Sequence, residues 1–70
     1  MTKETEFFIY LIERYASHIS STAPDVLREW DKRNLTERIY DSYEIYHCER
    51  LQNAFDDIQQ MMKEQDTSIG

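Results

Sequence analysis

Residues 30–46 contain the clearest helix end and helix start in this sequence. Asn34 is, after glycine, the residue type best suited to the left-handed backbone conformation that closes a helix. In this closing motif the next residue reaches back toward the helix, so Leu35 is predicted to contact Trp30. Thr36 is predicted to be the N-cap of the following helix. The chain should therefore turn a tight corner at Asn34, with one leucine joining two helix ends.

The composition indicates that the rest of the chain is helical too. The 70 residues include one glycine, at the C-terminus, and one proline, Pro24, which argues against a β fold rich in turns. A chain of this length forms one domain with a small core. We therefore expect an all-α fold, a small orthogonal bundle of three to four helices. Residues 1–65 should form the single helical domain, and residues 66–70 a flexible C-terminal tail.

Two helices can be placed in the N-terminal half. The first is predicted from about Lys3 to Ile19 with Thr2 as its cap, and the second from near Pro24 to about Arg33. The residues with helical spacing that should face the core are Phe8, Leu11, Ile12, Tyr15, Ala16 and Ile19, then Val26, Leu27 and Trp30.

The C-terminal half leaves two arrangements open. A stripe of apolar residues can be followed from Ile39 to Met62, but its spacing is slightly longer than the helical repeat. One long bent helix, or two helices with a break near residues 47–49, would both fit. We favour the break, because a single arm of this length would leave its far end unpacked.

The distribution of charge limits the classes of partner. The net charge is −6: residues 1–40 hold seven acids and six bases (−1), and residues 41–70 hold seven acids and two bases (−5). This balance disfavours nucleic acid and anionic membranes as partners and allows a basic protein, although solubility alone also explains it. A single cysteine, Cys48, suggests a reducing compartment, and we expect a cytoplasmic protein. The longest apolar run, residues 7–12, is far too short to span a bilayer.

No motif predicts an enzyme, a cofactor or a metal site. His47 and Cys48 are adjacent, but neighbours on a helix diverge by about 100° and should not face each other. Glu44 and His47 match the Glu-x-x-His pattern of carboxylate-bridged metal bundles once, whereas such bundles need it twice. A helix-turn-helix is geometrically possible, but acids such as Glu37 on its second helix would repel phosphates. We therefore predict a non-enzymatic protein.

Aromatic residues outnumber what so small a core should bury. The first helix is apolar over most of its circumference in its second turn, as in a helix that is central to a fold or covered by another chain. Tyrosine is enriched in interfaces because it buries area while keeping a polar tip. The residues predicted to bind a partner are Phe7, Tyr10, Tyr40, Tyr43, Glu44, Tyr46 and His47. The alternative is that these rings only cap the edge of the core.

Three segments carry a resemblance to a known family: FFIYLIERYA, VLREWDKRNLTERIYDSYEIYH and NAFDDIQ. In this order, over about residues 5–60, they resemble a family of short bacterial proteins of unknown function. Many of its members carry glycine at the position of Asn34. Its genes are often seen near predicted toxins that look like ADP-ribosyltransferases. The resemblance implies a toxin-linked partner or an antitoxin role, and it transfers no functional residue.

The function that we predict is a protein–protein interaction module that contacts a basic protein or a toxin through its tyrosine-rich face. One alternative is a self-assembling structural subunit, a homodimer with Phe7 and Tyr10 at its seam. The other is an acidic protein that mimics nucleic acid and occupies a nucleic-acid site on another protein.

Overall fold

The structure, a computed structural model, describes residues 1–68 and the side chains of residues 1–66. Five helices and no strand occur in this part of the chain, and the predicted all-α bundle is confirmed. The helices are α1 (Lys3–His18), α2 (Ala23–Lys32), α3 (Thr36–Asp41), α4 (Tyr43–Tyr46) and α5 (Leu51–Ser68).

The first helix begins and ends with local hydrogen bonds. Thr2 is its N-cap, as predicted, and accepts a hydrogen bond from the backbone N–H of Thr5 at 3.1 Å. Beyond the C-terminus, Ser20 has a φ of 57°, and the N–H of Ser21 donates to the carbonyl of Ala16 at 2.7 Å. This is the same closing motif that was predicted at Asn34. It was not predicted at Ser20, because the residue types typical of this position are glycine and asparagine.

The corner after α2 forms as predicted. Asn34 has a φ of 57°. The N–H of Leu35 donates to the carbonyl oxygen of Trp30 at 2.9 Å, and the N–H of Asn34 donates to the carbonyl oxygen of Asp31 at 3.1 Å. These two bonds satisfy carbonyl groups that the end of a helix would otherwise leave unpaired.

The predicted cap at Thr36 is wrong by one position. Leu35 is the N-cap of α3, already in near-helical backbone geometry, and its carbonyl accepts from the N–H of Ile39 at 2.9 Å. Thr36 is the first helical residue, and its hydroxyl donates instead to the carboxylate of Asp31 at 2.5 Å.

The predicted third helix is divided twice, which accounts for five helices rather than three to four. The hydroxyl of Ser42 donates to the carbonyl of Arg38 at 2.8 Å, and the chain kinks there between α3 and α4. A second break covers residues 47–50, where the favoured break near residues 47–49 was expected. There the N–H of Cys48 donates to the carbonyl of Ile45, a three-residue turn that cannot continue an α-helix.

An aromatic row runs through the core. Trp30 lies between Phe8 and Tyr15, with ring centroids 5.9 and 5.6 Å away, and Tyr15 contacts Phe55 at 5.5 Å. These residues join α1, α2 and α5. The buried residues are Leu11, Ile12, Tyr15, Ala16, Val26, Trp30, Leu35, Ile39, Tyr46, Ala54, Phe55, Ile58 and Met61.

Two residues expected in the core are exposed instead. Leu27 is 37% exposed and Ile19 is 40% exposed. Leu27 lies at the rim of the groove between α1 and α2, where the described chain does not cover it. Ile19 is the C-cap of α1 and lies where the chain already turns away.

The ends of α2 and α5 are joined by Arg33. Its guanidinium lies 2.9 Å from the carboxylate of Asp66 and 2.8 Å from that of Glu29. Helix α5 thus extends to Ser68 into the predicted tail, residues 66–70, of which residues 69–70 lie outside the described part. The flexibility of that tail stays a prediction.

Candidate partner-binding surface

Helices α1 and α4 bring four of the predicted residues together in one cluster. The ring of Phe7 meets that of Tyr43 edge-on at 5.6 Å, and lies 6.4 Å from the rings of Tyr10 and His47. Tyr43 and His47 stack in parallel at 4.2 Å. We call Phe7, Tyr10, Tyr43 and His47 the aromatic face. The three contacts of Phe7 lie at distances typical of favourable aromatic pairs.

His47 is held in one orientation by α4. Its Nδ1 lies 2.6 Å from the carbonyl oxygen of Tyr43, so this nitrogen carries the proton and donates. The other nitrogen, Nε2, is left as an acceptor in the neutral ring. The end of α4 therefore fixes both the tautomer and the plane of the imidazole.

Cys48 contacts His47, contrary to the expectation that the two would not face each other. The Sγ of Cys48 lies 3.6 Å from Nε2 of His47. The helical divergence of neighbours does not apply, because both residues follow the last residue of α4, Tyr46. The thiol and the imidazole of this pair are both exposed.

Tyr10 is one of two exposed rings of the aromatic face, and the other is His47. Tyr10 is 46% exposed, and the guanidinium of Arg14 lies 5.2 Å from its centroid. This distance allows a cation–π contact, worth about 0.5–1 kcal/mol at an exposed site. Phe7 and Tyr43 are half-buried, so the face has a packed base and two accessible rings.

Tyr46 was predicted to bind a partner, but it lies in the core. It is 3% exposed, and its hydroxyl donates to the carboxylate of Asp57 in α5. Burial, together with the hydrogen bond and the negative charge of Asp57, raises the pKa of the Tyr46 phenol. This ring holds α4 against α5 and cannot also contact a partner.

The other two predicted residues lie apart from the ring contacts of the aromatic face. Tyr40 is half-buried against Phe8, with ring centroids 5.5 Å apart, and its hydroxyl lies 2.7 Å from Oγ1 of Thr5. Glu44 is exposed on α4, one position after Tyr43. The predicted set is therefore one cluster of four rings, one separate tyrosine, one neighbouring acid and one core residue.

An apolar groove between α1 and α2 was not predicted. It measures about 330 Å³ and is lined by Phe8, Ile9, Ile12, Glu13, Ala23, Pro24 and Leu27. Ile9 is 41% exposed there. The sequence contained one signal for this groove, because Ile9 does not share the helical spacing of the core residues of α1. Leu27 gave no such signal, because its spacing assigned it to the core.

The described residues contain neither a metal-binding cluster nor a membrane-spanning helix. No group of three His, Cys, Asp or Glu side chains comes close enough to hold a metal ion within this part of the chain. None of the helices described there combines the length and apolar character that crossing a membrane requires.

Comparison with known proteins places the chain in a family. A family model described as "Protein of unknown function (DUF3791)" matches residues 6–65. Neither the curated proteins nor the solved structures that were compared contain a match to the chain.

Proposed function

We propose that this chain, which belongs to the DUF3791 family of proteins of unknown function, is a non-enzymatic module that binds another protein through its aromatic face. The observation that carries the proposal is the gathering of Phe7, Tyr10, Tyr43 and His47 on one side of the molecule, with Tyr10 46% exposed.

The arrangement of these rings suits a binding surface. Tyr43 and His47 are already stacked, and Nδ1 of His47 is bonded to the backbone. Rings that are ordered before association lose little conformational freedom on binding, so more of the contact energy appears as affinity. Tyr10 can bury its ring while its hydroxyl remains at the rim.

The charge of the molecule favours a basic partner. Residues 41–70 carry a net charge of −5, and Glu44 is exposed beside Tyr43. A negative surface raises the rate of association with a positive one and repels nucleic acid and anionic membranes. We therefore propose a basic protein as the partner. The single cysteine, Cys48, supports the cytoplasm as the compartment that we propose.

The finer role that we propose is that of an antitoxin or regulator. Its support is the resemblance to proteins whose genes are often seen near predicted toxins that look like ADP-ribosyltransferases. The partner would then be such a toxin, encoded beside this protein. Co-expression provides the test: the chain should relieve growth inhibition by the neighbouring toxin, and Tyr10→Ser should relieve it less.

Self-assembly is the second candidate, and the exposure of Ile9 and Tyr10 favours it. They are 41% and 46% exposed at successive positions on α1. Light scattering of the purified chain separates the two candidates. A dimer that Tyr10→Ser converts to a monomer supports self-assembly. A wild-type chain that is monomeric at all concentrations supports binding of the aromatic face to another protein.

Mimicry of nucleic acid by the acidic half is the third candidate, and the dependence of binding on salt distinguishes it. An interface made of charges weakens steeply as ionic strength rises, because exposed charges are screened. Binding through the aromatic face should persist at high salt.

The experiment that tests the proposal is quantitative capture from the native host with three forms of the tagged chain: wild type, Tyr10→Ser and Ile45→Ser. Ile45 is 59% exposed and makes none of the ring contacts, so its variant is a matched control for lost apolar surface. We expect one protein to be retained by wild type and Ile45→Ser and lost by Tyr10→Ser. Equal retention by all three forms would contradict the proposal.

A further inference from the structure

A second concave site lies at the corner between α2 and α3. It is an open pocket of about 450 Å³, within the size range of small-ligand sites. Its lining residues are Phe8, Asp31, Asn34, Thr36, Glu37 and Tyr40. It shares none of its lining residues with the aromatic face.

Two aromatic rings form one wall of this pocket. The centroids of Phe8 and Tyr40 are 5.5 Å apart, and the rings are tilted by 54°. The hydroxyl of Tyr40 lies 2.7 Å from Oγ1 of Thr5, which fixes the ring against the start of α1. Phe8 also packs on the buried Trp30, so neither ring is free to collapse into the pocket.

Two carboxylates also line this pocket. Asp31 precedes the left-handed Asn34 by three positions and Glu37 follows it by three, so the corner brings both acids to one pocket. The hydroxyl of Thr36 donates to Asp31 and orients it. Among the described residues, none of those that line the pocket is basic. The ion pairs found among the described side chains use other acids, namely Asp25, Glu29 and Asp66.

We propose that this pocket binds the guanidinium group of an arginine side chain from a protein partner. Aromatic rings beside two carboxylates match a planar cation that stacks on a ring and donates paired hydrogen bonds. A lysine ammonium is more strongly hydrated and cannot donate in this forked geometry, so arginine fits better. The inference rests on the proposed function only in assigning the arginine to a protein.

The test is an NMR titration of the ¹⁵N-labelled full chain with N-acetyl-argininamide. The controls are N-acetyl-citrullinamide, a neutral isostere, and N-acetyl-lysinamide. We expect saturable shifts at millimolar arginine derivative, concentrated at the amides of Asn34, Thr36 and Tyr40. The citrulline derivative should cause no such shifts, and the lysine derivative should bind several-fold more weakly.

Charge-neutral variants then separate the pocket from the general acidity of the chain. Glu37→Gln should weaken the binding of the arginine derivative several-fold, and Glu49→Gln, which removes the same charge at an exposed residue outside the pocket lining, should not. Asp31→Asn provides a second variant at the pocket, provided that its unfolding curve matches that of the wild type. Equal shifts with the citrulline derivative, or equal effects of Glu37→Gln and Glu49→Gln, would overturn the proposal.

This outcome is independent of the aromatic face, because the probe contains no partner protein. If the arginine derivative does not bind while capture still depends on Tyr10, the pocket proposal alone fails. If the arginine derivative binds and Tyr10→Ser captures the partner as well as the wild type does, the proposed function alone fails.

Discussion

The backbone N–H of Leu35 donates to the carbonyl oxygen of Trp30 at 2.9 Å, and both side chains are buried. This bond closes α2, and Leu35 is also the N-cap of α3. Because the corner between them is tight, Tyr40 of α3 is brought against Phe8 of α1. The local end of one helix thus sets the position of the next.

The left-handed residue at this corner should respond differently to glycine and to alanine. Asn34→Ala should lower the free energy of unfolding by roughly 1 kcal/mol, because a Cβ without a compensating polar group is disfavoured at a φ of 57°. Asn34→Gly should leave it nearly unchanged, since glycine accepts this conformation. Urea unfolding followed by circular dichroism measures both, with Asn53→Ala in α5 as a control that should not destabilise. Equal losses for the two Asn34 variants would contradict the left-handed assignment.

The corresponding position after α1 offers a stabilising substitution. Ser20 also has a φ of 57°, and serine is less suited to it than asparagine. We expect Ser20→Gly to raise the free energy of unfolding by about 0.5 kcal/mol or more. This is a net value: glycine removes the cost of the left-handed conformation, but it also gives the unfolded chain more conformational entropy. Ser21→Gly, one position later and without a positive φ, should not raise it. The same urea experiment compares the two, and a gain confined to Ser21→Gly would show that the chain closes α1 differently.

The contact between Tyr46 and Asp57 should make stability fall at high pH. Burial, then the hydrogen bond and charge of Asp57, raise the pKa of Tyr46 above its ordinary value of 10. Above pH 10 the unfolded chain releases the phenolic proton while the folded chain keeps it, so the free energy of unfolding decreases as pH rises. The stabilisation that comes from the protonated phenol of Tyr46 is fully present below pH 10.

Tyr46→Phe tests this contribution. It should lower the free energy of unfolding at neutral pH by roughly 2 kcal/mol, because a hydrogen bond to a carboxylate is lost. It should also make the decline above pH 10 shallower. Tyr10→Phe removes an exposed hydroxyl and is the comparison; unfolding curves measured from neutral to alkaline pH give both quantities. An alkaline decline that Tyr46→Phe leaves unchanged would rule out this role for the phenol.

Local signals predicted the corners of the fold better than the surface. Asn34 and Thr2 were predicted correctly because each acts on backbone groups within five residues. The kink at Ser42 was missed because its hydroxyl bonds to the helix itself, at the carbonyl of Arg38, and serine alone does not indicate this. The helix count therefore came out too low although the helical class was right.

The candidate surface depends on tertiary contacts that no local pattern contains. Tyr46 shares a stripe with Tyr43, but only the return of α5 places Asp57 over it and buries it. The contact between His47 and Cys48 likewise required the end of α4 to be known. Helical spacing identified the aromatic residues, and the packing of α1, α4 and α5 decided which of them remain accessible.

The most direct test of the partner-binding role is the NMR footprint of the captured protein on the ¹⁵N-labelled chain. After titration with the purified partner, the strongest broadening should fall on the amides of Phe7, Tyr10, Tyr43 and His47. Tyr10→Ser should weaken binding by roughly tenfold or more, as expected for an aromatic residue central to an interface. A footprint that avoids these residues, together with unchanged affinity of Tyr10→Ser, would contradict the role assigned to the aromatic face.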